Sequence, residues 1–99
     1  MIEEMKVERE DEGPRGRYVI RLPGGDEAEL TYGRRDEATR VADHTFVPRA
    51  FRGKGIADML MRALVADARN EGFKIVPVCS YVVAQFRRHP EWADLRADQ

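Results

Sequence analysis

Apolar and polar positions alternate through the first half of this chain, and the period lengthens near residue 55. Residues 6–10 read as a first, highly charged strand, broken by the turn-forming run Asp11-Glu12-Gly13-Pro14. Tyr18, Ile20 and Leu22 then alternate with Arg17, Val19 and Arg21, the period of a half-buried strand. After the turn Pro23-Gly24-Gly25-Asp26, Ala28, Leu30 and Tyr32 alternate with Glu27, Glu29 and Thr31, which predicts an antiparallel hairpin. Gly33-Arg34-Arg35-Asp36 reads as another turn, and residues 40–47 as a fourth strand closed by Pro48.

Beyond residue 55 the apolar positions Ile56, Met59, Leu60, Ala63, Leu64 and Ala68 fall three and four apart, one face of an amphipathic helix. Asp58 and Arg62 stand four apart on another face, spaced to pair. Gly72 suits a left-handed C-terminal cap. Residues 73–78 return to strand, apolar enough to be covered on both faces, with Pro77 tolerable only at an edge or bulge. A second helix is expected over residues 80–88, stopping before His89-Pro90, and the tail is polar apart from Trp92, Leu95 and two alanines. The order β-β-β-β-α-β-α contains one strand–helix–strand unit, whose strands should run parallel. The fold class is therefore α/β (α+β), a mixed sheet with the segment between Val47 and Gly55 at the end where ligands bind in open α/β sheets.

Composition narrows this picture. Ninety-nine residues suit one domain over 1–99, able to bury one core but not a deep enclosed chamber. Hydrophobic residues at 42% and charged residues at 35% describe a water-soluble globule, and no apolar run approaches the roughly 18 residues of a membrane span. Seventeen basic and eighteen acidic side chains leave a formal charge of −1, which argues against a nucleic-acid binder while allowing a local basic site at residues 49–54. The single cysteine, Cys79, has no internal disulfide partner, and residues 1–5 lack the features of a secretory signal; both fit a cytoplasmic location. No metal-ligand set is assigned.

The chemistry concentrates in Arg49-Ala50-Phe51-Arg52-Gly53-Lys54-Gly55-Ile56-Ala57, which joins a strand to a helix N-terminus. The first turn of a helix offers unpaired N–H groups and the positive end of the macrodipole. Gly53 and Gly55 remove side chains that would hold a phosphate away, while Arg52 and Lys54 add charge beside it. The nucleoside-triphosphate loop pattern fails here, with Pro48 in place of its first glycine and Gly55 in place of its hydroxyl residue. The dinucleotide pattern fails at Asp58. A diphosphate is the ligand these residues suit.

Arg52-x-x-Gly55-x-Ala57, following a strand that ends Val47-Pro48 and opening an amphipathic helix, resembles the acetyl-CoA signature of the GNAT N-acetyltransferase superfamily. With Val78-Cys79-Ser80-Tyr81 and His89-Pro90-Glu91-Trp92, residues 43–92 resemble a compact GNAT-like subfamily. The resemblance implies that the strands flanking the signature helix splay apart and admit the pantetheine arm of acetyl-CoA. Phe46 and Val47 would supply backbone groups to that arm, and Arg52, Gly53, Lys54, Gly55, Ile56 and Ala57 would hold the diphosphate. Pro77 fits a strand whose pairing is incomplete on one side. The implied activity is transfer of an acetyl group from acetyl-CoA to an exposed amine, a protein lysine or a small amine. The alternative is a CoA-binding module without turnover.

Two residues are candidate catalytic groups, of which Cys79 stands near the implied thioester. Cys79 is either a small buried hydrophobe or a thiol that accepts the acetyl group, its acidity helped by the helix that follows. His44 is either a general base or a strand histidine, with Asp43 and Glu37 as weaker candidates. The superfamily often uses a tyrosine of its last helix to protonate the departing thiolate; Phe86 is the nearest match here, and Tyr81 lies earlier. The family's helices between its first two strands are replaced by Asp11-Glu12-Gly13-Pro14-Arg15-Gly16, so the acceptor site should be open and shallow.

Overall fold

The computed structural model describes residues 5–97, so the reading of residues 1–5 as lacking a secretory signal lies largely outside it. Strands β1 (Glu8–Glu12), β2 (Arg15–Arg21), β3 (Glu27–Asp36) and β4 (Thr39–Phe46) precede helix α1 (Ile56–Glu71). Strand β5 (Lys74–Pro77) and helix α2 (Ser80–Arg88) follow. Short 3-10 turns occupy Pro23–Gly25, Arg49–Phe51 and Pro90–Leu95. The strands form one sheet in chain order, antiparallel through β4 and parallel between β4 and β5. The mixed sheet and its β-β-β-β-α-β-α order are as the pattern of periods predicts.

Two expected turns are strand instead. Asp11 and Glu12 pair with Gly16 and Arg15, which shortens the first turn to Gly13-Pro14. Gly33 and Arg34 lie in β3, where Gly33 pairs with Arg15 on one side and Val41 on the other. Ladder bonds to two neighbours outweigh the turn preference of a glycine. The turn falls at Glu37-Ala38, where the Ala38 N–H donates to Asp36 Oδ1 at 2.9 Å.

Both helices pack on one face of the sheet. Tyr18, Ile20, Leu30 and Ala42 from the strands join Ile56, Leu60, Leu64, Val82 and Phe86 in a single buried cluster. Trp92 and Leu95, in the tail that sequence pattern leaves unassigned, complete it. Arg40 is buried with them; its guanidinium lies over the Phe73 ring at 4.5 Å and donates to the carbonyls of Asp36 and Glu37.

The other face carries no helix among the described residues. Arg17 pairs there with Glu10, Glu27 and Glu29 at 2.8–2.9 Å, and Arg21 with Glu10 and Glu27. Val19 sits among these groups and is fully buried. Its cross-strand neighbours are Glu8 and Glu29, so the aliphatic stems of charged side chains are what cover it.

The facing of β4 changes part-way. Thr31 pairs with His44 and Tyr32 with Ala42, which leaves Asp43 as an extra residue, a β-bulge. Before it, Arg40 and Ala42 face the helices. After it Thr45, opposite Leu30, does so, and His44 and Phe46 face the bare side.

Candidate functional site

Strand β5 accompanies β4 only from Thr39 to Ala42. The last ties are the N–H groups of Val78 and Cys79, which both donate to the Ala42 carbonyl at 3.1 Å. Beyond that point β4 bulges at Asp43 and runs on to Phe46 beside β3, while the chain after Pro77 turns into α2. A gap therefore opens between the two strands. Pro77 does not cause it. Lys74 and Val78 direct their N–H groups at β4, so alternation points the imide nitrogen of Pro77 at the outer edge, where no β4 bond is lost.

The loop after β4 is built around two left-handed glycines. Gly53 and Gly55 each have φ 80°, while Lys54 between them does not adopt positive φ. Alternating handedness of this kind turns successive N–H groups toward one concavity, a nest suited to an anion. Gly55 is the N-cap of α1, no side chain caps that end, and the first helical bond runs from the Met59 N–H to the Gly55 carbonyl. The N–H groups of the first turn are thus left for another partner. A Cβ at either glycine would meet nothing within 4 Å, so backbone conformation and open space, not packing, account for both.

A cleft of about 300 Å³ lies over this loop, within the size range of small-ligand sites. Val47, Arg52, Gly53, Gly55, Ile56 and Ala57, six of the residues that the resemblance assigns to the cofactor, line it. Phe46 and Lys54 do not line it; Phe46 points to the bare face and is 43% exposed. Tyr81, Gln85, Arg88 and His89 of α2 and its cap form the opposite wall. Of this wall, Gln85 and Arg88 have no part in the sequence reading, although a spacing of four, three and one along one helix face could have revealed them beside Tyr81.

The bare face of the sheet is rich in ion pairs. Arg15, Arg17 and Arg21 on the bare face are all paired with carboxylates. Among the described residues Arg49, Arg52, Lys54 and Arg88 have no carboxylate within salt-bridge distance. The one carboxylate lining the cleft, Asp58, is held by Arg62 at 2.8 Å, the pairing expected from their spacing.

The candidate catalytic residues lie on different sides of the sheet. Cys79 is the N-cap residue of α2, half-buried against the core, with Sγ 3.5 Å from Thr45 Oγ1 across the gap. His44 projects from the bare face, largely exposed, with Nε2 3.8 Å from Glu29 Oε2. Asp43, in the bulge, accepts from Thr31 Oγ1 at 2.6 Å and from Arg15 at 2.9 Å. Phe86 is buried edge-on to Trp92, at 6.4 Å between ring centroids, and does not reach the cleft. Tyr81 does line it, and burial raises the pKa of its hydroxyl.

These features have counterparts in known proteins. A family model described as GCN5-related N-acetyl-transferase matches residues 17–95. Protein NATD1 of Xenopus tropicalis is 34% identical over 82 residues, covering 82% of this chain and 75% of that protein. The chain belongs to the GCN5-related N-acetyltransferase family, whose members use acetyl-CoA to transfer an acetyl group. Its fold matches a GCN5-like protein from Staphylococcus aureus solved by NMR, with a TM-score of 0.69 and 22% identity, over 96% of this chain and 90% of that one. It also matches the ribosomal-protein-alanine N-acetyltransferase of Brucella melitensis biovar Abortus 2308, with a TM-score of 0.57 and 21% identity, over 87% of this chain and 65% of that one. No helix among the described residues is long and apolar enough to cross a membrane.

Proposed function

We propose that this protein transfers the acetyl group of acetyl-CoA to an exposed amine, with the diphosphate on residues 52–57 and the thioester arm in the gap between β4 and β5. The observation that carries this reading is the coincidence of the glycine nest, the uncapped α1 N-terminus and unpaired cations in one cleft beside that gap. Charge-assisted hydrogen bonds from such groups contribute roughly 1.5–3 kcal/mol each.

The two-residue Gly13-Pro14 turn leaves the bare face of the sheet accessible, and the acceptor amine reaches the thioester from there. Its nitrogen attacks the carbonyl carbon, the C–N bond forms and the C–S bond breaks. Tyr81 supplies the proton that the departing thiolate takes up, a role Phe86 cannot fill chemically or by position. Asp43 and His44 are the groups on the acceptor side able to take the amine's proton. In a two-step route the Cys79 thiolate takes the acetyl group first and the amine then displaces it. The position of Cys79, beside the gap at the start of α2, supports this route; its packing against the core equally suits a filler.

Calorimetry with CoA and acetyl-CoA tests the central claim, with submillimolar binding of both expected; no binding of either overturns it. Mass spectrometry after incubation with acetyl-CoA and a panel of amines, wild type against Cys79→Ala, then decides the route. Equal rates of acetyl transfer remove the cysteine from it.

A further inference from the structure

The α2 wall of the cleft raises a separate question. Gln85 is 5% exposed and lines the cleft, yet its carboxamide makes no hydrogen bond with any described residue. Its amide atoms reach the surface of the cleft, where a polar ligand can take the place of water on them. One turn further along the same face stands Arg88, exposed, lining the same cleft and without a carboxylate partner among the described residues. Tyr81, Gln85 and Arg88 thus form a stripe along α2, spanning about 10 Å at 1.5 Å per residue. Tyr81 is at the end beside Cys79 and the strand gap; Arg88 is at the far end.

A ligand whose sulfur lies in the strand gap and whose diphosphate lies on the loop has its nucleotide left to place. The nucleotide of CoA carries a further phosphate, a monoester on the ribose, and that group needs a cation of its own. Resting on the function proposed above, we propose that Arg88 recognises this ribose phosphate, with Gln85 hydrogen-bonding the stretch of cofactor that crosses it. The acyl donor is then a free CoA thioester. A carrier protein's phosphopantetheine arm, which has no nucleotide, would leave Arg88 without a ligand.

Dephospho-CoA, which lacks only the ribose phosphate, isolates the contact. Calorimetry of wild-type protein should show CoA binding about tenfold more tightly than dephospho-CoA, in line with one charge-assisted pair. Arg88→Gln should remove that preference and leave the dephospho-CoA affinity within twofold of wild type. Gln85→Leu should weaken both ligands by a similar factor. Equal losses for both ligands in Arg88→Gln, or a preference that survives it, overturn the assignment of Arg88. A wild type that binds neither ligand defeats the proposed function itself, a different result from the other two. Because Arg88 is exposed, its replacement leaves the core intact; an unchanged circular dichroism melt checks this.

Discussion

The Nε–H of Arg52 donates to the carbonyl of Val47 at 2.9 Å, closing the loop onto the end of β4. One guanidinium thus has two tasks: Nε braces the backbone, and the terminal nitrogens remain for an anion. Lysine can supply charge but not both contacts, since it presents a single nitrogen. Arg52→Lys should therefore weaken acetyl-CoA binding about tenfold while leaving the melting temperature nearly unchanged. Calorimetry and thermal unfolding on the same sample check this, and wild-type affinity in the variant would show that the brace is dispensable.

Gly55 separates fold from ligand in another way. Its φ of 80° makes alanine cost about 1–2 kcal/mol of stability, although no atom stands in the way of the new methyl. Gly55→Glu adds a carboxylate to the nest. Urea unfolding should give a similar modest loss for both variants, whereas acetyl-CoA binding should fall in Gly55→Ala and vanish in Gly55→Glu. Retained binding in the glutamate variant would move the site elsewhere.

Tyr81 yields a prediction in kcat and pH. Burial raises the pKa of its hydroxyl, so the group stays protonated through neutral pH and can act as an acid there. Tyr81→Phe should lower kcat by about 10–100-fold with KM within twofold, the pattern of a group used only in the transition state. In wild type the rate should fall as pH rises through the raised pKa of the tyrosine, and this limb should be absent from the variant. A variant with unchanged kcat assigns Tyr81 to packing.

Stability in acid rests on the opposite end of the sheet. Arg9 on β1 reaches Asp67 at 2.9 Å and Glu71 at 2.5 Å on α1, and Asp11 at 3.2 Å. Hydrogen bonding to Arg9 lowers the pKa of Glu71, and a hydrogen bond from Tyr32 lowers that of Asp11. Depressed carboxylates contribute stability that is present above their ordinary pKa of about 4 and lost as pH falls through the folded values. Arg9→Met should cost about 1–2 kcal/mol at pH 7, discounted for partial exposure, and much less at pH 2.5. Urea midpoints at the two pH values measure this; a difference independent of pH would assign the loss to packing.

The element order, the α1 stripe, the Gly72 cap and the glycine loop before α1 are legible in the sequence because each depends on neighbours close in the chain. Gly72 has φ 82° and its N–H returns to the Ala68 carbonyl, as a C-terminal glycine does. Features set by distant partners are not legible. Gly33 has the composition of a turn and the environment of a strand, because Arg15 and Val41 pair with it from either side. Trp92 is isolated in a polar tail, yet Phe86 and a stacked His89 at 4.0 Å draw it into the core. The Tyr81-Gln85-Arg88 wall escaped for a related reason: an amphipathic helix shows which residues are polar, and tertiary packing decides which of those face a cleft. The Pro77 account erred on direction, since its missing N–H belongs to the outer edge.

The bulge at Asp43 makes one residue of β4 removable in a way that those after it are not. Removing that single codon would restore strict alternation along β4 with His44 still outward and Thr45 still inward, since Asp43 and His44 both face the bare side. Removing a codon beyond the bulge, at Thr45, would instead turn Phe46 and Val47 to the opposite sides, and the glycine nest would leave the strand half a pleat out of phase with α1. Loss in this strand is thus tolerated more readily at position 43 than beyond it, and descendants of this chain should preserve the spacing from His44 to Gly53 even where they do not preserve its residues.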